Sequence, residues 1–144
     1  MEEFRSGFFM SDSVCNGRVL VVDDEPDIRK VVRMTLQKAG YDVIEAENGA
    51  KAIEAINSGE NRLLLDVIVC DIRMPKINGV EAIAYFQQEW PRVPIIVLTG
   101  FPDTDMATSF LRGGVIDYLV KPVEGEKLKA SVGRAMEQRE LARL

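Results

Sequence analysis

The chain has 144 residues, 47% hydrophobic and 28% charged, which suits one folded domain with enough length for a real core. A net charge of -5 and a pI near 4.9 argue against nucleic acid or an anionic membrane as the direct ligand, because both demand a basic face. No apolar run approaches the roughly 20 residues of a spanning helix, and residues 1–10 lack the basic start and apolar block of a signal peptide, so a cytoplasmic location is expected. The chain contains no histidine, which removes His-based triads, the common zinc sites and any phosphohistidine of its own. Cys15 and Cys70 make neither a disulfide framework nor a zinc site, and Cys70 reads as a small core residue.

Residues 1–17 carry Ser, Gly, Asp and Asn without sustained period and read as a flexible leader, leaving 18–144 as the domain. Val19 to Val22 is a buried strand ending in Asp23, Asp24 and Glu25, and Pro26 opens a helix where a missing amide costs nothing. Ile28, Val31, Val32, Leu36 and Ala39 follow helical spacing up to Gly40. Tyr41 to Ala46 is a second strand, and Asn48-Gly49 turns into a helix carrying Ala52, Ile53 and Ile56. Leu63 to Leu65 reads either as a longer strand or as a packed connection into the apolar run Asp66 to Asp71. That run delivers one carboxylate, Asp71, into a turn closed by Pro75 and Gly79.

A third long helix carries Val80, Ile83, Ala84 and Phe86 and ends at Trp90-Pro91. Pro94 to Leu98 is a fourth strand ending in Thr99 and Gly100. Asp103 or Thr104 caps the next helix, which closes at Gly113-Gly114. Ile116 to Val120 is a fifth strand ending in Lys121-Pro122, and Glu124 to Leu144 is a charged helix whose Arg134, Glu137, Arg139, Glu140 and Arg143 offer solvated pairs. Five strands alternating with five helices predict an α/β fold with a parallel sheet covered on both faces. Right-handed crossovers then bring Asp23, Asp24, Asp71, Thr99 and Lys121 to one rim.

Carboxylates gathered there would raise one another's pKa unless a cation sits among them, and hard oxygen ligands of this kind suit Mg²⁺. A carboxylate can also serve as nucleophile and form an aspartyl phosphate, while a metal and one Lys supply charge neutralisation. In this order on strands one, three, four and five, Asp23-Asp24, Asp71, Thr99 and Lys121-Pro122 resemble the response regulator receiver domain of two-component signalling, over about residues 18–140.

The resemblance implies a flavodoxin-like doubly wound sheet of order 2-1-3-4-5 in a three-layer sandwich. It also implies Asp71 as phosphoacceptor, with Mg²⁺ held by Asp24, Asp71 and the Arg73 carbonyl and by Asp23 through water. Lys121 would pair with the phosphoryl group, the bond to Pro122 would be cis, and Thr99 with Tyr118 would form the switch pair. A sensor histidine kinase or histidine phosphotransfer protein would be the donor. The fourth helix, fifth strand and fifth helix would face a downstream effector or output domain, or a second copy on phosphorylation. No enzymatic turnover beyond self-phosphorylation and self-dephosphorylation is implied.

Val115 departs from the family's usual Ala, and Arg73 and Phe101 stand where water access to the phosphoryl group is controlled, which suggests slow self-dephosphorylation. Two alternatives stand beside this reading. A haloacid-dehalogenase-type phosphohydrolase would also form an aspartyl phosphate, although its nucleophile normally lies on the first strand. A binding module that keeps the fold without phosphorylation is the other, and the intact set of rim residues argues against it.

Overall fold

A computed structural model describes residues 15–72 and 79–142. Arg73, Pro75 and Arg143 lie outside the described residues, as does most of the leader. In chain order the elements are β1 (Arg18–Val22), α1 (Pro26–Lys38), β2 (Asp42–Ala46), α2 (Gly49–Ile56), α3 (Asn61–Leu64), β3 (Leu65–Asp71), α4 (Gly79–Glu89), β4 (Ile95–Thr99), α5 (Thr104–Arg112), β5 (Asp117–Val120) and α6 (Gly125–Ala142). All strands pair in parallel, in the order β2-β1-β3-β4-β5, which is the flavodoxin-like arrangement. No described helix is long and apolar enough to cross a membrane.

Strand parity divides the core. Leu20, Val22, Ile68, Cys70, Ile95 and Val97 point to one face, where Ala52, Ile56, Ala82, Ile83 and Phe86 cover them from α2 and α4. Val19, Val21, Val67, Val69, Ile96 and Leu98 point to the other, under Val32, Leu36, Leu128, Val132 and Ala135 of α1 and α6. β3 is buried along its whole length, as a central strand covered on both faces must be.

The helices begin and end where local chemistry directs. Pro26 occupies the first turn of α1, the Asn48 side chain accepts from the Lys51 amide at α2, and the Asp103 side chain accepts from the Met106 amide at α5. Gly40, at φ 94, makes the left-handed turn after α1 that a side chain would resist.

Leu65 is the first residue of β3, whereas Leu63 and Leu64 form the connection into it as part of the single helical turn α3 and are exposed rather than packed. Two further segments are tied more closely than their composition suggests. Asn16 donates its amide to the Gly40 carbonyl and its side-chain NH₂ to the Ala39 carbonyl. The far part of α6 does not carry only solvated pairs: Arg139 stands 3.8 Å from the buried Asp66 carboxylate and donates to the Arg92 carbonyl. Arg134 pairs with Asp117 at the start of β5.

Phe86 is fully buried between α4 and the sheet. Phe86→Ala is expected to lower unfolding free energy by about 3–5 kcal/mol, whereas Val31→Ala, at a position 63% exposed, should change it by no more than about 0.5 kcal/mol. Urea titration of both variants checks the assignment of core and surface.

Candidate functional site

Register assembles the site. Val22 is opposite Cys70 in the β1–β3 ladder, so the next residues, Asp23 and Asp71, leave neighbouring strands side by side. Asp23 and Asp71 continue the parity of Val21 and Val69, and Lys121 continues that of Leu119, all on the face covered by α1 and α6. Thr99 and Tyr118 have the opposite parity, with Val97 and Cys70. The sheet therefore sorts its rim into a charged row and a hydroxyl pair.

In the charged row, the Lys121 ammonium donates to Asp71 Oδ2 at 2.8 Å and to Glu25 Oε1 at 3.1 Å. It also stands 2.7 Å from Asp23 Oδ2, as an ion pair whose alignment is not that of a hydrogen bond. The Lys121 side chain is only 8% exposed and those of Asp23 and Asp71 are nearly sealed. Lys121 reaches this position at the end of β5, where its amide donates to the Thr99 carbonyl and its bond to Pro122 is cis.

Burial pushes the Asp23 carboxyl up from its ordinary value, and the neighbouring Asp71 charge adds to this, against the lowering influence of Lys121 and of the Glu25 amide. Burial acts downward on Lys121, but the close carboxylates of Asp23 and Asp71 outweigh it and hold the ammonium above the usual lysine range. Cys70, beneath the rim, has its thiol pushed up by burial and then by the charges of Asp71 and Asp23. It remains a protonated core residue.

The row is braced from outside. Arg29 Nη1 donates to the Asp23 carbonyl at 2.6 Å while its Nε donates to Glu45 at 3.0 Å, and Arg33 holds the other oxygen of Glu45 at 2.8 Å. The sequence reading missed this brace. Arg29 and Glu45 lie on different elements, and only β1–β2 pairing brings them together.

Oxygens of Asp23, Asp24, Glu25 and Asp71 lie within 4.8 Å of one another. Asp23 Oδ2 is buried with no aligned hydrogen-bond donor. An all-carboxylate set that carries more negative charge than the one Lys121 ammonium neutralises fits a hard divalent cation such as Mg²⁺. Asp24, Glu25, Asp71, Gly100, Phe101 and Lys121 line a cleft of about 320 Å³ through which a small ligand reaches the row.

The hydroxyl pair stands apart. Thr99 Oγ1 accepts from the Phe101 amide at 3.0 Å, and the Tyr118 hydroxyl accepts from the Asp103 amide at 3.4 Å. The Tyr118 ring stacks on Phe110, with centroids 6.3 Å apart. Thus Asp23, Asp24, Asp71 and Lys121 converge as the sequence indicates, and Thr99 ends the strand beside them; Arg73 lies outside the described residues.

The upward shift of Asp23 has a sign that can be tested. The folded protein binds this proton more tightly than the unfolded chain does, so metal-free stability falls as pH rises from the ordinary carboxylate value through the raised one. Asp23→Asn, which carries no buried charge, is expected to be more stable than the parent at pH 7 without metal. The advantage should shrink in acid, where Asp23 is protonated. Thermal unfolding across pH in EDTA measures both.

The description of the response regulator receiver domain matches residues 19–133. Among curated proteins, the DNA-binding transcriptional regulator NtrC of Escherichia coli (strain K12) is 38% identical over 83% of this chain and 25% of its own length. The C4-dicarboxylate transport transcriptional regulatory protein DctD of Pseudomonas aeruginosa is 35% identical over 86% of this chain and 26% of its own. The chain thus spans about a quarter of the length of these relatives. Among solved structures, a response regulator receiver domain protein from Clostridium thermocellum superposes with a TM-score of 0.81 at 28% identity, covering 88% of this chain and 98% of that one. The sheet order, the charged rim and these matches agree, and the chain belongs to the response regulator receiver domain family.

Proposed function

We propose that Asp71 accepts a phosphoryl group and that the domain works as a phosphorylation-controlled switch. The observation that carries this reading is the partly buried hydrogen bond from Lys121 to Asp71 beside Asp23 and Asp24, in the wall of the cleft. One Asp71 oxygen attacks phosphorus, forming a P–O bond as the P–N bond of a phosphohistidine breaks. The departing imidazole keeps the electron pair and takes a proton from solvent. This chain contains no histidine, so the donor is a second protein, a sensor histidine kinase or a histidine phosphotransfer protein.

Asp24 and Asp71 would hold Mg²⁺ directly, with Asp23 through water and the Arg73 carbonyl completing the protein ligands. The metal supplies charge neutralisation at the phosphoryl oxygens. Lys121 supplies a fixed positive charge and keeps Asp71 oriented. The Asp23 carboxylate is held for its task by Arg29 at its own carbonyl and by the Glu25 amide at its Oδ1.

Readout passes through the hydroxyl pair. The Thr99 hydroxyl, which donates to the Phe101 carbonyl at 3.3 Å, turns to donate to a phosphoryl oxygen instead, and the Tyr118 ring follows into the space given up. The surface that changes is formed by α5, β5 and α6, where a cleft of about 320 Å³ runs along Tyr118, Val120, Pro122, Val123 and Lys127. A downstream effector, an output domain or a second copy of the chain would read it.

Intact mass after incubation with acetyl phosphate and Mg²⁺ tests the chemistry. A gain of one phosphoryl group is expected, lost in Asp71→Asn and in EDTA; no gain with any donor would return the domain to a constitutive binding module. Phe101 borders the cleft and is 62% exposed, so it shields one approach of water. Phe101→Ala is expected to shorten the lifetime of the phosphorylated form severalfold, measured by the return of the unmodified mass after donor removal.

A further inference from the structure

Glu25 belongs to the carboxylate cluster but is not among the metal ligands proposed above. Its side chain makes no cap for α1 and is 58% exposed, yet it is not free: its carboxylate accepts from the nearly buried Lys121 ammonium at 3.1 Å. Its backbone is fixed by the hydrogen bond from its amide to Asp23 Oδ1 at 2.9 Å. It lies on the cleft wall together with Asp71 and Lys121. A carboxylate oxygen bonded to this ammonium from the solvent side occupies the donor direction that an incoming phosphoryl oxygen needs.

Resting on the phosphoacceptor reading, we propose that Glu25 is a resident competitor for the Lys121 ammonium, an internal anion that the phosphoryl group must displace. Of the three carboxylates at Lys121, those of Asp23 and Asp71 are sealed and at 2.7 and 2.8 Å, whereas that of Glu25 is the longest contact and the only one open to solvent. Displacing it costs little, because its carboxylate regains water as it swings out. It therefore sets a threshold for phosphodonors without blocking the site. Glu25 acts through Lys121 and is a positioning residue, not a group that touches the reacting atoms.

The test is the affinity of the whole chain for beryllofluoride, a phosphoryl analogue, measured by titration calorimetry at saturating Mg²⁺ for the parent and for Glu25→Gln and Glu25→Ala. Both variants should bind beryllofluoride about two- to fivefold more tightly, the range of a partly exposed carboxylate–ammonium pair. The half-saturating concentration of acetyl phosphate should fall by the same factor, with little change in the maximal rate. A purely structural role would move unfolding temperature and leave that split unchanged. Parent binding with unchanged or weaker binding by both variants overturns the proposal and leaves Asp71 as acceptor intact. Failure of the parent itself to bind beryllofluoride overturns the acceptor reading, and the Glu25 proposal with it.

Discussion

A lysine ammonium held among buried carboxylates is the interaction on which the rest of this structure depends. Taking an ammonium and two carboxylates out of water costs several kcal/mol per ion before any attraction is counted. Lys121, Asp23 and Asp71 meet that cost only because the strands deliver them to within hydrogen-bonding reach. The balance is not even: one cation faces two sealed acids and a third at the edge. The excess negative charge is what suits the rim to a divalent cation, and what makes Asp23 an unfavourable charge in its absence. The site is built at some expense to the stability of the resting domain.

That arrangement rests on a sheet with little freedom to deform. A one-residue slip between β1 and β3 would turn Asp23 away from Asp71 and every buried valine of the strand toward the opposite layer. Two apolar layers with different occupants on the two faces make such a slip prohibitive. Function is thus anchored by packing far from the rim: the same alternation that buries Val21 and Val69 aims the acids, and the same alternation that buries Val97 sends Thr99 to the other side. The braces of Arg29 and Glu45 then hold the loop that the strand cannot reach.

Much of this was legible in the sequence, for physical reasons. Buried parallel strands are short unbroken apolar runs, and the acid or lysine at the end of each run stands out against them; β1, β3, β4 and β5 were found that way, and so were Asp23, Asp71, Thr99 and Lys121. What escaped were features with no period. The single turn α3 is too short to show helical spacing. The reach of Arg139 to Asp66 and of Arg29 to Glu45 depends on side-chain direction across elements distant in sequence. Glu25 has no role of its own in the sequence, because nothing local to residues 23–26 announces a partner at Lys121.

Asp117, at the foot of β5, closes a small knot. Its Oδ1 accepts from the Tyr118 amide at 2.8 Å, and its Oδ2 from the Ser131 hydroxyl at 2.9 Å and from Arg134. Ser131 is fully buried in α6. The main chain of Tyr118 is therefore pinned both by the ladder to Val97 and by a carboxylate fastened to the neighbouring helix. Its aromatic ring is half-buried, held by the stack on Phe110 and by a long 3.4 Å hydrogen bond from the Asp103 amide to its hydroxyl. Any response at this position is channelled into rotation about side-chain bonds, a discrete hop between staggered wells, while the strand beneath it stays still.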